Sequence, residues 1–361
     1  MDAQLNNLQL YCAEEFVEDY REGHLTRREI LRRVLAITGG VASTATLLLG
    51  LGCAPNAPAT ATAAPTTASL PTAAPTAASA SPTSQPTVAS ATAAPSPSPA
   101  ASTAAVGSPT AASGATPAAR SKLSVAADDP AIGAADVSFP GDGATILGYL
   151  ARPKNRPSGA EPLPAVLVCH ENRGLTEHIL DVTRRLGKAG YVALAVDLLS
   201  RDGGTAKVDP AQVAANLTAN PDQNVADFQA GFTYLQTLPE VKKGATGMIG
   251  FCFGGGVTWL SIEQIPGIKA AVPFYGPNPP LPEVSKIQAA VLGIYGGADQ
   301  RIDAGIPAIE QAMKDNGKVF EKIVYPGANH AFNNDTGASW NPDAAYDAWA
   351  KTLDWFKKYL P

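Results

Sequence analysis

The stretch Thr246-Gly247-Met248-Ile249-Gly250-Phe251-Cys252-Phe253-Gly254-Gly255-Gly256 limits what this chain can fold into more than any other. An apolar run leads into Gly250, then one reactive side chain, then glycines, then a helix-like segment over residues 257–263. That order fits a nucleophile elbow, a sharp strand-to-helix turn that lifts one side chain clear of a sheet. The pattern is G-x-S-x-G with Cys252 in the serine slot. Gly250 and Gly254 suit it because a side chain at either place would crowd so tight a turn. The turn also aims the Phe253 backbone N–H at the place where an oxyanion forms. The elbow points to a hydrolase with a cysteine nucleophile.

An elbow needs a sheet, and the downstream patterning supplies one. Residues 134–139 and 144–151 read as two short strands joined by Pro140-Gly141-Asp142-Gly143. Residues 164–169 and 191–196 are continuous apolar runs, the mark of strands buried on both faces. Further strands are predicted over 248–251, 270–274, 289–295 and 320–325. Helices are predicted over 177–189, 220–238, 255–263 and 306–316. A closing amphipathic helix over 342–359 carries Tyr346, Trp349, Leu353 and Phe356 on one face. Alternation of this kind gives an α/β fold with a mostly parallel central sheet and helices on both faces.

The chain ahead of this domain reads differently. From about residue 54 to 119 it is almost entirely Ala, Thr, Pro and Ser. Such a tract has too little bulky apolar surface to offset its conformational entropy, so residues 54–125 are expected to be a disordered linker. Its prolines bias it toward an extended stalk. Residues 1–53 read as an export signal or membrane anchor outside the fold. Thr26-Arg27-Arg28-Glu29-Ile30-Leu31 resembles a twin-arginine signal, and an apolar stretch follows over 34–51, about long enough to span a bilayer. Leu49-Gly50-Leu51-Gly52-Cys53 resembles a lipobox, with Gly50 where a branched apolar residue is usual. Cys12 is taken as incidental. The expected location is therefore extracytoplasmic and tethered to the membrane. Residues 126–361 form the hydrolase domain, expected as a monomer.

Ligands bind at the carboxyl ends of parallel strands, so the remaining catalytic groups should lie there. Gly296-Gly297-Ala298-Asp299 follows one late strand, and Pro326-Gly327-Ala328-Asn329-His330-Ala331-Phe332 follows the next. Of the four histidines, only His330 sits in such a loop. The order nucleophile, acid, histidine is the one α/β-hydrolases use. Cys252 is then the nucleophile, His330 the base, and Asp299 the group that orients the imidazole. Asp303 is the rival acid, but it reads better as the N-cap of the next helix. In His170-Glu171-Asn172-Arg173-Gly174, the Asn172 N–H is the candidate second oxyanion donor. Glu171 has two readings: a carboxylate that hydrogen-bonds Cys252 at rest, or a structural partner of Arg173 or Arg201. No Cys or His pair has metal-ligand spacing, so no metal or cofactor is expected. A net charge of −5 without a basic stripe argues against nucleic acid.

Together, Gly250-Phe251-Cys252-Phe253-Gly254-Gly255, His170-Glu171-Asn172-Arg173-Gly174, Asp197-Leu198-Leu199, Gly297-Ala298-Asp299 and Pro326-Gly327-Ala328-Asn329-His330-Ala331-Phe332 resemble the dienelactone hydrolase (carboxymethylenebutenolidase) family. The resemblance implies an α/β-hydrolase fold, a Cys252/Asp299/His330 triad, an acyl-enzyme intermediate, a Glu171 that gates the thiol, and a small ester or lactone substrate. It also implies that Arg201 holds a substrate carboxylate. The family's second arginine falls where this chain has Asn334. A general carboxylesterase, or a non-catalytic binding domain on the same scaffold, are the other readings.

Overall fold

The computed structural model describes residues 5–52 and 121–360. One eight-stranded sheet organises them. Its strands are β1 (Ile132–Gly141), β2 (Ala144–Pro153), β3 (Leu163–Cys169), β4 (Val192–Asp197), β5 (Val241–Phe251), β6 (Ile268–Phe274), β7 (Ala290–Gly296) and β8 (Phe320–Tyr325). They lie in the order β1-β2-β4-β3-β5-β6-β7-β8. β1 pairs antiparallel with β2, and β2 with β4; every other pair is parallel. This is the expected α/β-hydrolase fold.

The apolar runs explain its centre. Every residue of β4 is buried, as is every residue from Ala165 to the end of β3. Side chains alternate across a strand, so complete burial means that both faces are covered. Each fully buried Val or Leu there contributes roughly 1.5–3 kcal/mol. The strand ends, rather than their middles, are left for chemistry.

Three helices precede the sheet in sequence: α1 (Asn7–Arg21), α2 (Arg27–Thr38) and α3 (Val41–Gly50). The others are α4 (Glu177–Lys188), α5 (Val213–Ala219), α6 (Pro221–Thr237), α7 (Phe253–Gln264), α8 (Gln300–Asp303), α9 (Ile306–Asp315) and α10 (Pro342–Tyr359).

Here the structure corrects the reading of residues 1–53 as lying outside the fold. α1 belongs to the same compact unit as the sheet and packs against α5 and α7. Leu8, Tyr11, Cys12 and Phe16, the last three spaced 3, 4 and 8 residues from Leu8, form its buried stripe. Asn6 caps the helix in a capping box with Gln9, and its amide donates to Thr218 O at 2.7 Å. A charged helix in front of a basic and apolar segment looks like the start of a leader, and that likeness masks the amphipathic stripe. Among the described residues no single helix is long and apolar enough to cross a membrane. α2 and α3 meet that test only together, and they are bent by 114° at their junction. Cys53 and the whole Ala/Thr/Pro/Ser tract, residues 54–119, lie outside the described residues.

The folded part also begins earlier than residue 126. Ser121 N donates to Asp335 Oδ2 at 3.1 Å, and Val125 N donates to Asp181 Oδ1 at 2.7 Å. Asp335 in turn takes Arg185 at 3.2 Å and lies 3.1 Å from His178 Nδ1. This buried ionic cluster ties residues 121–125 to α4 and to the loop after β8.

Candidate active site

β5 ends at Phe251 and α7 begins at Phe253, so Cys252 is the whole turn between them. Its backbone sits at φ 58°, ψ −123°, a region that costs a non-glycine residue about 1–3 kcal/mol. The surroundings hold it there. Cys252 N donates to Phe274 O at 3.1 Å, and a Cβ on Gly250 would run into Gly254 O and Thr258 Oγ1. A Cβ on Gly254 would meet the carbonyls of Cys169 and His170. The two elbow glycines are therefore dictated by close approach of backbone to backbone.

β7 carries Asp299 just past its end, and β8 carries His330 in the loop beyond it. His330 Nδ1 donates to Asp299 Oδ2 at 2.6 Å. The other oxygen of Asp299 accepts Ile302 N at 3.3 Å and so caps α8. The cap and the bond to His330 coexist in one carboxylate. Asp303 is not the N-cap of the following helix; that position belongs to Gly305. Burial disfavours the charged Asp299 carboxylate, but the hydrogen bond and charge of His330 outweigh it and hold its pKa below the usual value. Burial pulls His330 down, yet Asp299 and then Glu15 push its pKa up overall. The other histidines of the domain are structural. His170 accepts Leu198 N at Nε2 and bonds Glu171 O at Nδ1, and His178 pairs with Asp335.

Two residues that the sequence reading missed complete the site. Both come from α1. Cys252 Sγ donates to Glu15, with Oε1 at 3.2 Å and Oε2 at 3.3 Å. Tyr11 Oη donates to Cys252 Sγ at 3.4 Å and lies 3.3 Å from His330 Nε2, bridging thiol and imidazole. The signal for them was the helical spacing of Tyr11, Cys12, Glu15 and Phe16, one polar position inside an apolar stripe. Glu15, Cys252 and His330 also bring one donor atom each to within 4.8 Å of one another, close enough to share one metal ion.

The expected partners of the thiol sit elsewhere. Glu171 does not hydrogen-bond Cys252; its Oε2 accepts Asn334 Nδ2 at 2.8 Å. Neither Arg173 nor Arg201 is its partner: Arg173 faces Asp19 at 3.9 Å, and Arg201 holds Asp227 at 2.8 Å. The cavity at Cys252, of about 280 Å³, is lined by Glu171, Asn172 and His330 but not by Arg201. The Asn172 side chain donates to Glu15 Oε1 at 2.9 Å. Phe253 starts α7, so its N–H belongs to the open first turn of a helix.

Burial, then the charges of Glu15 and Glu171, push the Cys252 thiol well above its ordinary pKa. Glu15→Gln keeps the size and removes one of those charges. The thiol pKa should fall, and alkylation of Cys252 by iodoacetamide at pH 8 should accelerate, about tenfold for each pH unit by which the thiol's midpoint drops. Mass-resolved labelling rates across pH check this; an unchanged or upward-moved midpoint would refute it.

Comparison with known proteins places these features in context. A family model described as "Dienelactone hydrolase family" matches residues 146–360. A protein of Methylorubrum extorquens named "Putative carboxymethylenebutenolidase" is 35% identical over 253 residues, 66% of this chain and 86% of its own. One of the same name from Escherichia coli (strain K12) is 36% identical over 264 residues, 68% of this chain and 95% of its own. Among solved structures, the "Putative Dienelactone Hydrolase from Klebsiella pneumoniae" is 34% identical with a TM-score of 0.59, over 63% of this chain and 100% of that one.

Proposed function

Because this chain belongs to the dienelactone hydrolase family, and is a hydrolase of the carboxymethylenebutenolidase type, we propose that it cleaves small esters or lactones through a Cys252 acyl-enzyme. The observation that carries this reading is the strained Cys252 at φ 58°, below a His330 whose far nitrogen is held by Asp299 at 2.6 Å.

The substrate carbonyl displaces the Glu15 carboxylate from the thiol. As the sulfur attacks, the S–H proton passes to His330 Nε2 and the carbonyl electrons move onto oxygen. The Phe253 and Asn172 amides are the donors for that oxyanion. Collapse expels the alkoxide, which takes the proton back from His330 and leaves a thioester. A water then loses its proton to His330 and attacks the thioester. The second collapse releases the carboxylic acid and returns the thiol. In a lactone the alcohol stays tethered to the acyl group. Arg201 has no part in this scheme, since Asp227 holds it away from the cavity.

Rapid mixing with p-nitrophenyl butyrate tests the intermediate. One equivalent of p-nitrophenol should appear in a burst, and acid quenching should leave a butyryl group on the peptide that contains Cys252. Steady turnover with no adduct at Cys252 would refute the acyl-enzyme.

A further inference from the structure

α1 sets a third kind of donor atom beside the thiol and the imidazole. Cys252 Sγ lies 3.2 Å from Glu15 Oε1, and His330 Nε2 lies 4.0 Å from the same oxygen. All three donor atoms fall within 4.8 Å of one another. In a tetrahedral zinc site, with Zn–S about 2.3 Å and Zn–N and Zn–O about 2.0–2.2 Å, ligand atoms stand about 3.3–3.7 Å apart. The two observed separations bracket that range. No spacing in the sequence shows this set, because its members come from α1, the elbow and the loop after β8.

Each donor is also held in the form a metal needs. His330 Nδ1 donates to Asp299 Oδ2 at 2.6 Å, which leaves the lone pair on Nε2. A carboxylate in that position is the usual support of a metal-bound histidine. Asn172 Nδ2 donates to Glu15 Oε1 at 2.9 Å and fixes that carboxylate. Tyr11 Oη donates to Cys252 Sγ at 3.4 Å, a bond that a metal-bound thiolate keeps. Glu15, Cys252 and His330 all line the cavity, so an ion from solvent reaches them. Exchange of the thiol proton for a dication adds one net positive charge. Arg301 opposes that charge, while Glu171 and Asp299 favour it. Arg173 and His24 face Asp19 and Glu22 instead. The affinity therefore rests on the bonds to sulfur and imidazole rather than on the field of the cavity.

We propose that Cys252, His330 and Glu15 form a zinc site that switches the enzyme off. The S–H proton leaves to solvent and a Zn–S bond forms. His330 Nε2 and a Glu15 oxygen replace waters of the ion, and one water from the cavity completes four ligands. Nothing is oxidised or reduced. Thiolate and imidazole suit zinc, whereas calcium and magnesium demand oxygen ligands. The ion ties up the attacking sulfur and the nitrogen that takes its proton, so neither attack nor proton transfer proceeds while it is bound. The binding stands on the geometry alone; the inhibition rests on the acyl-enzyme reading above.

The test uses the full chain, freed of metal with EDTA and moved to chelator-free buffer, with Co²⁺ as the spectroscopic stand-in for Zn²⁺. One equivalent of Co²⁺ should give a sulfur-to-cobalt charge-transfer band and the intense visible bands of a four-coordinate ion. Zn²⁺ should bleach both, and Cys252→Ala should lack the charge-transfer band at an unchanged Tm. Glu15→Gln separates the ligand from its charge. Its thiol ionises more readily, so a metal held by sulfur and imidazole alone would bind more tightly. Loss of a ligand should instead weaken Zn²⁺ binding by about 100-fold or more. Turnover of p-nitrophenyl butyrate should fall close to zero at one equivalent of Zn²⁺ and return with EDTA. The proposal is overturned by the absence of a charge-transfer band, by a band that persists in Cys252→Ala, by Glu15→Gln binding zinc as tightly as the native chain, or by full turnover with zinc bound. The cobalt spectrum in a chain that turns over no ester would uphold the site and count against the hydrolytic chemistry.

Discussion

Alanine in place of Cys252 should lower kcat by on the order of 10⁴-fold or more for every ester the native protein turns over, with KM little changed. The reason is chemical. The thiol is the only group at the elbow able to form the covalent intermediate, and without it His330 can only activate water at a carbonyl held by the oxyanion donors. The substitution should leave the fold intact. Alanine keeps the Cβ and meets the same φ 58° strain, and the Cys252 N bond to Phe274 O involves no side chain. The Asn172 bond to Glu15 also survives. The measurement is steady-state kinetics beside a thermal melt. Residual activity within tenfold of native, at an unchanged Tm, would mean that Cys252 is a structural thiol and that another group attacks.

The parts of this molecule that were legible in sequence share one property: local pattern and tertiary role agree there. The apolar runs of β3 and β4 are continuous because both faces are buried. Gly250 and Gly254 flank Cys252 because backbone passes within contact distance. Asp299 and His330 were found from their positions after successive strands, and the 2.6 Å bond between them follows from neighbouring strand ends. Glu15 and Tyr11 were not legible for the opposite reason. They reach the thiol across more than 230 residues of sequence, through a helix whose polar surface and basic successor imitate a leader. Arg201 was misread because its loop position is compatible with the cavity, and only the position of Asp227 on α6 decides which way it points.

The leader reading and the packing of α1 make opposing demands. Cleavage ahead of Cys53 would remove Tyr11 and Glu15 from the thiol. A span across α2 and α3 would put α1 and Cys252 on opposite sides of a bilayer. The tethered, extracytoplasmic location proposed from the basic and apolar segment is compatible with this active site only where α1 travels with the domain and stays attached to it. Twin-arginine export, which moves folded proteins, satisfies the first condition.

Asp299→Asn should cost about 10⁴-fold in kcat, a magnitude taken from the corresponding change in serine proteases. The amide is isosteric, so its oxygen can go on capping α8 through Ile302 N. Its NH₂ group then faces His330 Nδ1, which at present donates to the carboxylate. Two donors cannot pair, so the imidazole must move its proton to Nε2, the nitrogen that has to accept the thiol proton. The pH profile supplies a second readout. Burial alone would lower the pKa of His330, and Asp299 is the largest influence raising it. Removing the carboxylate lets burial prevail, so the pKa falls. Neutral imidazole then persists to lower pH, and the acid limb of kcat/KM should move down while its plateau drops. A purely structural Asp299 would give a different result: lower Tm, an unmoved acid limb, and activity per folded molecule within tenfold of native.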